Sequence, residues 1–470
     1  MTVTEIGTPA VETAELRPRF RGTLLRPGEE GYDEARRVWN GAIDRRPALI
    51  ARCAGADDVV EAVRFARKRD LLVSVRGGGH SIAGHGVCEG GVMIDLSLMK
   101  AARVDPAART VQAAGGLLWR ELDAATSQFG LATPGGIISH TGIGGLTLGG
   151  GLGHLMRKHG LTVDNLVSVE LVTADGEQLR VDGDTEPELF WGLSGGGGNF
   201  GIATAFEYRL HPVGPLVLAG PMFWSRDDAP TVLRFLDEFA PEAPDELGIA
   251  LAMMLAPPLP FLPPDQVGKP VIGLVLVWSG DLDEGRRAIE PLRRIGSPIA
   301  SAVGAMPWAA AQTMLDGGAP HGRQYYWRSH RLPNLTDEVV GALLDRLDTM
   351  PTPFSQINGW AMGGAVSRVA ADATAVGERE VGFDLSIAAG WPPADDDGDR
   401  YRAWVREGWE ALRPAATGVY ANFISDEGAA GLEAAYGTRL ARLTALKDRF
   451  DPTNFFRLNP NISPSEGARP

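Results

Sequence analysis

The sequence predicts an α+β protein that is divided into two folded units. Its 470 residues are too many for one ordinary hydrophobic core, so two domains are expected. Strand and helix patterns alternate as far as Pro212. Beyond that residue the character changes, because the chain enters the proline-rich loop Pro257–Pro264 and later the acidic loop Asp395–Asp399.

The first unit shows the periodicities of both helices and strands. Asp57–Arg69 predicts an amphipathic helix, because Val59 and Val63 fall on one face and acidic residues stand at its start. The dipeptide Asp175-Gly176 predicts a hairpin turn. Further helices are predicted at Leu117–Phe129 and Glu186–Leu193. The predicted strands are Ala48–Cys53, Leu71–Val75, Val92–Leu96, Thr110–Ala114, Leu166–Thr173, Gln178–Val181 and Ile202–Leu210.

The rest of the chain mixes strands with helices. The patterns predict strands at Val271–Trp278 and Phe383–Ala389, and a helix at Asp337–Asp348. A helical stretch is predicted at Glu433–Arg449, before an irregular end. Residues 1–17 are predicted to form a mobile tail, since they show no clear periodicity.

Composition limits the partners of the chain. The formal net charge is −14, whereas nucleic acids and anionic membranes bind basic surfaces, so neither is expected as a partner. Two cysteines, Cys53 and Cys88, do not support a disulfide framework. The first residues lack the apolar segment of a secretory signal, and no apolar run is long enough to span a membrane. We therefore expect a soluble cytoplasmic protein.

Several formal motif matches do not predict function. Gly196-x-Gly198-x-x-Gly201 has the letters of a dinucleotide fingerprint, but it follows a predicted helix and precedes a strand, which is the reverse of the required order. Gly192-x-Ser194-x-Gly196 resembles a nucleophile elbow in the same reversed context. The eight histidines show no metal-ligand spacing, so no metal site is predicted.

Three glycine-rich segments remain. The first, Arg76–Gly86, directly follows a predicted strand, and consecutive glycines let backbone N–H groups converge on an anion such as a pyrophosphate. The second runs from Thr133 through repeated glycines to Asn165, and the third is Gly195–Ile202. Backbone that approaches a ligand closely requires such residues. The three segments together therefore predict a site for a large phosphorylated ligand.

In this order the segments resemble the FAD-linked oxidases of the vanillyl-alcohol-oxidase superfamily, specifically its berberine-bridge-enzyme-like branch. The resemblance covers nearly the whole chain. It includes a C-terminal signature of Tyr420-x-Asn422-Phe423, Asp451-Pro452-x-Asn454-x-Phe456 and Asn459-x-Asn461. The pattern is closer to the bacterial hydroxy-D-nicotine oxidases than to the plant alkaloid enzymes.

The resemblance implies FAD that is covalently bound through His80. The alternative is a histidine that only caps the end of a strand. Many members have a second covalent bond to a cysteine, but Ile138 stands at that place and Cys88 lies in another segment. A single bond is therefore expected, with a lower flavin reduction potential and a narrower range of substrates. The implied FAD-binding residues are Arg76, Gly77, Gly78, Gly79, His80, Ser81, Gly84, His85, Pro134, Gly135, Gly136, Gly142, Gly144, Gly145, Gly149, Gly150, Gly153, Asp164, Asn165, Asn199, Gly201, Ile202, Asn459 and Asn461.

The resemblance also implies the architecture. A two-part FAD-binding domain of the vanillyl-alcohol-oxidase type would comprise residues 18–212 and a returning C-terminal segment, 420–470. Residues 213–419 would form the substrate domain, an antiparallel sheet covered by helices. Asp164, Asn165, Asn199 and Ile202 would lie near the adenosine or pyrophosphate end of FAD, and Asn459 near the polar edge of the flavin ring. Turn-stabilising hydrogen bonds are the alternative role for Asn165 and Asn199.

The implied reaction is hydride transfer from a small alcohol, sugar or amine to FAD, with reoxidation by O2. The usual glutamate of the family is replaced by Ser386, so Asp384, two residues earlier on the same strand face, is the candidate base. An ordinary ion-pair role is its alternative. Phe423 replaces a catalytic tyrosine found in some relatives, which leaves Tyr325 or Tyr326 as further candidates. A neutral amine would need no base.

Two other functions stay open from the sequence. A flavin-dependent dehydrogenase that uses another electron acceptor would have the same fold. A non-catalytic flavin-binding module would have kept the fold after losing the base. Either a monomer or a homodimer is expected.

Overall fold

The structure is a computed structural model that describes residues 12–380 and 382–467. Strands of the first unit are β1 (Thr23–Leu25), β2 (Leu49–Arg52), β3 (Val73–Arg76), β4 (Val92–Asp95), β5 (Ala102–Asp105), β6 (Thr110–Ala114), β7 (Leu131–Ala132), β8 (Leu166–Val172), β9 (Gln178–Asp182), β10 (Ile202–Arg209) and β11 (His211–Pro212). Its α-helices are α1 (Tyr32–Ala35), α2 (Ala56–Lys68), α3 (Trp119–Ser127), α4 (Ile143–Leu148), α5 (Met156–His159) and α6 (Pro187–Leu193).

The first unit contains two main sheets. Strands β2, β4 and β3 are parallel neighbours, and β1 pairs antiparallel with β2. The α2 helix packs Val59, Val63 and Phe65 into the core beneath this sheet. The second sheet is antiparallel in the order β5-β6-β10-β8-β9, and the predicted hairpin joins β8 to β9. The predicted strands and helices of this unit are thus all present.

The central unit is built on one large antiparallel sheet. Its strands are β12 (Leu216–Ser225), β13 (Leu247–Leu255), β14 (Pro270–Trp278), β15 (Ala300–Ser301), β16 (Gly304–Pro307), β17 (Gln324–Leu332), β18 (Gln356–Ala361) and β19 (Phe383–Trp391). Its α-helices are α7 (Ala229–Glu242), α8 (Leu282–Arg293), α9 (Trp308–Thr313), α10 (Asp337–Asp348), α11 (Ala365–Arg368) and α12 (Gly398–Leu412). The strand order is β15-β12-β14-β13-β18-β19-β17, and β16 also pairs with β12.

The two faces of the central sheet have different roles. Along β19, Phe383, Leu385 and Ile387 enter a large apolar core together with α7, α10 and α12. Side chains alternate between the faces of a strand, so Asp384 and Ser386 project from the opposite face. That face is turned toward the first unit, and a cavity lies between the two.

The C-terminal segment returns to the first unit as α13 (Gly428–Tyr436) and α14 (Leu440–Phe450). The sequence predicted one helix over Glu433–Arg449, and this prediction is wrong at Gly437, where a left-handed backbone angle (φ 49°) ends α13. Leu443 and Leu446 of α14 pack against the core of the second sheet. The segment therefore belongs with the first unit in space.

Part of the predicted N-terminal tail packs on the first unit. Most of the predicted tail, residues 1–11, lies outside the described residues. Leu16, inside the same stretch, is buried against the core under α2, so this part of the tail packs on the domain. Within the described part of the chain, no helix combines the length and apolar character needed to cross a bilayer.

Candidate active site

A cavity of about 1030 Å³ separates the first unit from the open face of the central sheet. All three glycine-rich segments reach it, together with the C-terminal residues around Asn459. The predicted site residues that line it are Gly77, Gly78, Gly79, His80, Ser81, His85, Gly136, Gly142, Gly144, Gly145, Gly149, Gly201, Ile202 and Asn459. Residues that are distant in the sequence thus form one continuous wall.

Glycines shape this wall in two different ways. The loop after β3 and the start of α4 approach so closely that a Cβ on Gly78 would lie 2.3 Å from the backbone nitrogen of Gly142. No side chain fits between these two segments. At Gly145 and Gly198, by contrast, an added Cβ would meet no atom within 4 Å, because both residues face the open cavity. The first pair closes the wall, and the second pair leaves room for a ligand.

Several predicted ligand residues lie behind the wall instead of lining it. A Cβ on Gly135 would lie 2.3 Å from the Trp119 ring, and one on Gly153 would lie 1.9 Å from the Gly135 carbonyl oxygen. These glycines are required for packing between segments. The same holds for Gly84 and Gly150, while Pro134 is buried and Arg76 donates a hydrogen bond to the Ala35 carbonyl.

The predicted polar contacts to the cofactor are mostly engaged with protein. Asp164 forms a buried ion pair with Arg379, at 2.7 Å between Oδ1 and Nη2. Asn165 donates to the carbonyls of the preceding helix end, which is the turn-stabilising alternative. Asn199 donates to the Pro460 carbonyl and accepts from the Ile462 N–H, so it fastens the C-terminal segment. Asn461 is likewise absent from the cavity wall and contacts only Ser463 by a long bond of 3.5 Å.

His80 lies in the cavity wall and its ring is held from two sides. Its Nε2 lies 2.8 Å from Nδ1 of His140. The ring also stacks on Trp39, with centroids 4.5 Å apart. Burial lowers the pKa of His80 well below its usual value, and the neighbouring His140 and His321 add to this effect. His80 is therefore a neutral imidazole at physiological pH.

No pattern in the sequence indicates the cluster formed by His80, His140 and His321. Each residue comes from a different segment, so no spacing rule identifies the group. Their ring nitrogens lie within 4.8 Å of one another. Two ligands of a tetrahedral zinc ion lie about 3.4 Å apart when each bond is about 2.0–2.1 Å. With one pair of nitrogens only 2.8 Å apart and the group extending to 4.8 Å, the cluster would have to rearrange before it could hold such an ion.

None of the three predicted catalytic residues is placed to accept a proton from a ligand. Asp384 is fully buried and lies 3.4 Å from Nε of Arg331, outside the cavity wall. Burial raises its pKa to about 6, while the guanidinium of Arg331 acts in the opposite direction. Tyr326 is on the helix-covered face of the sheet, where its hydroxyl bonds Asp426. Tyr325 stacks on Trp39 and donates to the Pro320 carbonyl.

An aromatic wall stands above the glycine loops instead. Trp327, Trp360 and Phe423 line the cavity, with the Trp327 and Phe423 rings edge to face at 5.0 Å. Tyr420 also lines it, and its hydroxyl accepts hydrogen bonds from the Gly151 N–H and from Nδ2 of Asn422. None of the described hydrogen bonds uses the proton of that hydroxyl.

Polar atoms without protein partners point to where a ligand binds. The indole nitrogens of Trp327 and Trp360 and Oδ1 of Asn358 are buried in the cavity wall without a hydrogen-bond partner. Asn358 and Trp360 are two residues apart on β18, so they share the face that is turned to the cavity. Buried polar groups in folded proteins are normally paired, so these atoms indicate contacts that a ligand supplies.

The described part of the cavity wall contains neither a cysteine nor an acidic side chain. Ile138 lines the cavity, whereas Cys53 and Cys88 are buried away from it. Thr141 also lines it. Among the described residues that form the wall there is no Asp, Glu or Lys, and Arg323 is stacked on Phe354. The cavity therefore offers no carboxylate to a bound cation.

Comparison with known proteins identifies the family. A family model described as an FAD binding domain matches residues 47–182, and one described as berberine and berberine like matches residues 419–463. An FAD-linked oxidoreductase of Dictyostelium discoideum is 33% identical over 450 residues, which is 95% of each chain. The chain belongs to the berberine-bridge-enzyme-like FAD-linked oxidoreductases. This family membership confirms the resemblance, the fold class and an FAD-dependent enzyme.

Other berberine-bridge-enzyme-like proteins agree with this assignment. The (R)-6-hydroxynicotine oxidase of Paenarthrobacter nicotinovorans is 30% identical, with 96% of this chain and 98% of that one aligned. The crystal structure of 6-hydroxy-D-nicotine oxidase from Arthrobacter nicotinovorans superposes with a TM-score of 0.86 at 28% identity, covering 95% of this chain and 98% of that one. The fold therefore matches over almost its whole length.

The residues present fit the FAD of this family. The open space at Gly145 and Gly198 accommodates a ligand that runs along the glycine loops. Asn459 donates to the carbonyls of Gly198 and Phe456, but its buried Oδ1 has no partner. A buried amide oxygen without a protein partner can accept a hydrogen bond from an N–H group on the polar edge of a ring. The cavity thus offers open space along the glycine loops and, next to Gly198, a free acceptor on Asn459.

Proposed function

We propose that this oxidoreductase carries FAD through one covalent bond to His80 and oxidises a small, uncharged organic molecule, with O2 as the final electron acceptor. One observation carries the proposal. His80 is a neutral histidine in the cavity wall, and the contacts with His140 and Trp39 hold its ring in place. A neutral imidazole has a ring nitrogen with a free electron pair, which is what bond formation to a methyl carbon of the flavin requires.

The absence of a second suitable side chain supports a single bond. Ile138 stands where many relatives have a cysteine, and it cannot form such a bond. Neither cysteine of the described chain reaches the cavity, and burial raises the pKa of both thiols. A thiol with a raised pKa is a poor nucleophile. His80 is therefore the candidate for sole attachment.

When bound, FAD supplies the two-electron chemistry of the enzyme. The chain itself binds and orients the substrate. Trp327, Trp360 and Phe423 offer flat apolar surfaces that exclude water, and Asn358 offers an acceptor for an O–H or N–H of the substrate. The free proton of Tyr420 can be donated to a substrate oxygen. These contacts fix the C–H bond that is to be oxidised.

The wall also indicates the charge of the substrate. A cationic substrate would require a carboxylate or would lose hydration without compensation, and no carboxylate lines the described wall. An alcohol or a sugar fits, because its oxygen accepts from an indole N–H while its hydroxyl donates to Asn358. An amine fits only in its neutral form. A neutral amine needs no base for hydride transfer, so a site without a catalytic carboxylate can act on it.

The covalent bond can be tested by precipitating the purified protein with acid and recording the spectrum of the pellet. The flavin colour is expected to stay with the wild-type protein. His80→Ala is expected to bind FAD but to release it into the supernatant. His211→Ala is a matched control, because His211 is a partly buried histidine outside the cavity wall, and it should retain the flavin. Full release of flavin from the wild type would reject the covalent bond.

The electron acceptor requires a separate test. Substrate-reduced enzyme is mixed with aerated buffer, and flavin absorbance is followed. Reoxidation within seconds is expected for an oxidase. Slow reoxidation by air but rapid reoxidation by an artificial dye would instead identify a dehydrogenase. Flavin that no alcohol, sugar or amine reduces would indicate a non-catalytic module.

A further inference from the structure

The hydrogen bond between His80 and His140 constrains the protons of both rings. Nε2 of His80 and Nδ1 of His140 are 2.8 Å apart, which is hydrogen-bond distance, so one nitrogen carries the proton and the other accepts it. Nδ1 of His80 makes none of the described hydrogen bonds. If Nε2 of His80 is the donor, its Nδ1 carries the free electron pair. If Nε2 is the acceptor, Nδ1 carries the proton and cannot form a bond.

We propose that His140 is the positioning residue for flavin attachment: it accepts the Nε2 proton of His80 and thereby makes Nδ1 of His80 the nitrogen that bonds to FAD. This inference rests on the covalent bond proposed above. It adds a residue that is not among the FAD-binding residues implied by the resemblance, and it specifies which ring nitrogen reacts. The stacking of His80 on Trp39 supports this role, because it prevents the ring from turning over.

His140 also accepts the proton that His80 must lose once the bond to the flavin has formed. Attachment forms a bond between Nδ1 and the methyl carbon of the flavin, and that carbon loses one hydrogen as a proton. The electron pair of the broken C–H bond would pass to the flavin and then to O2, which takes up two protons, one from the methyl group and one released through His140, and becomes hydrogen peroxide. Nδ1 then carries a third bond while Nε2 still holds its proton, so the His80 ring becomes a cation. Transfer of the Nε2 proton to Nδ1 of His140 restores the neutral ring.

The surroundings of His140 allow it to take up and release this proton. The carboxylate of Asp316 accepts from the N–H and hydroxyl of Ser139, next to His140. Burial lowers the pKa of His140, Asp316 partly offsets this effect, and Arg120 adds to it. His321 is exposed and its ring centroid lies 4.7 Å from that of His140. A route from the partly buried His80 to solvent therefore passes through His140 and His321.

Flavin-free protein, produced in riboflavin-starved cells, tests the proposal directly. The protein is mixed with FAD, and samples are precipitated with acid over time to measure covalently bound flavin. His140→Ala is expected to slow attachment by about 100-fold, which is the lower range for loss of a general base. Noncovalent FAD binding, measured by fluorescence quenching, should remain within a few-fold of the wild-type value.

Three additional measurements separate positioning from a merely structural role. In His140→Asn the amide oxygen can replace Nδ1 as acceptor but cannot take up the proton, so attachment should be faster than in His140→Ala and slower than in the wild type. Free imidazole should accelerate attachment in His140→Ala and leave His211→Ala unaffected. Fragmentation and NMR of the flavin-bearing peptide should place the bond on Nδ1.

The outcomes are distinguishable from failure of the covalent bond itself. If the wild type never retains flavin after acid, the proposed function fails and this inference fails with it. If the wild type retains flavin and His140→Ala attaches it at the same rate, only the role of His140 is rejected. A bond found on Nε2 of His80, or attachment that requires added Zn²⁺, would also overturn the inference.

Discussion

Arg331 and Asp384 form an ion pair inside the central sheet, with Nε and Oδ2 3.4 Å apart and side chains that are 2% and 0% exposed. They are directly opposite each other on β17 and β19. Removing one partner leaves a buried charge uncompensated, which typically costs about 3–5 kcal/mol. We therefore expect Asp384→Asn to lower the free energy of unfolding by this amount, as measured with urea.

The same variant also separates this structural role from catalysis. Because Asp384 does not line the cavity, flavin reduction by substrate should stay within a few-fold of the wild-type rate in the fraction that folds. The double variant Arg331→Met/Asp384→Leu should recover much of the stability, since both charges are absent. A loss of flavin reduction of 100-fold or more with unchanged stability would restore Asp384 as the base.

Tyr420 and Tyr326 allow a comparison between a tyrosine that lines the cavity and one on the helix-covered face of the central sheet. Tyr420→Phe removes the acceptor of the Gly151 N–H and a donor to the substrate, so flavin reduction should slow about 10-fold, equivalent to one lost hydrogen bond. Tyr326→Phe should leave the rate unchanged, because that hydroxyl lies on the other face of the sheet. Stopped-flow measurement without oxygen checks both. Equal loss in the two variants would contradict the placement of the site.

Gly78 and Gly145 predict opposite consequences of one added methyl group. In Gly78→Ala the new carbon would lie 2.3 Å from the nitrogen of Gly142, so the loops cannot close and the protein should lose thermal stability with or without FAD. In Gly145→Ala the methyl group enters the open cavity. Thermal stability without FAD should be unchanged, while FAD binding weakens. Thermal melts and FAD titration distinguish the two variants. An equal fall in melting temperature in both would contradict the close contact at Gly78 and the open space at Gly145.

Asp123 predicts a pH dependence of stability. It is buried between α3 and α9, where it accepts from Nε1 of Trp308 and Nε2 of Gln312, and burial raises its pKa to about 7. The folded state thus holds a proton that the unfolded state releases near pH 4. The stabilisation is fully present below about pH 4 and is lost as the pH rises to about 7, by up to about 4 kcal/mol.

Asp123→Asn has no such proton to lose. As the pH rises from about 4 to about 7, the free energy of unfolding of the wild type should therefore fall relative to that of the variant. Urea unfolding across this range measures it. Parallel curves for the two proteins would show that the Asp123 carboxyl has an ordinary pKa.

Ile138 predicts how a second covalent bond could be introduced. In His80→Ala/Ile138→Cys the only remaining candidate for attachment is the new thiol, so acid-stable flavin is expected if residue 138 lies beside the flavin ring. Ile138→Cys alone should raise the flavin reduction potential, measured by dye-coupled titration. Ile138→Ser controls for loss of the apolar side chain. Complete release of flavin from the double variant would place Ile138 away from the ring.

The sequence predicted the glycine loops well because their constraint is local. Gly78 and Gly145 are identifiable from one strand followed by a run of small residues, and the structure places both at the cavity. The sequence could not distinguish wall glycines from packing glycines such as Gly135, because the neighbour that excludes a side chain there, Trp119, is sixteen residues away and becomes adjacent only on folding.

The side chains in and around the cavity wall were harder to predict for the same reason. Strand alternation correctly placed Asp384 on the open face, but only pairing with β17 shows that Arg331 neutralises it. Likewise His140 and His321 carry no motif of their own, and their proximity to His80 follows from tertiary packing. Local patterns therefore predicted which backbone segments form the cavity better than which side chains surround it.

The return of the C-terminal segment has a consequence for the timing of maturation. Phe456 and Asn459 share the cavity wall with Gly77 and His80, which are synthesised more than 370 residues earlier. The N-terminal sheets can fold while translation continues. The cavity, however, lacks part of its wall until Asn459 has been synthesised, so a ligand that needs this wall can bind in full only after that residue has folded into place.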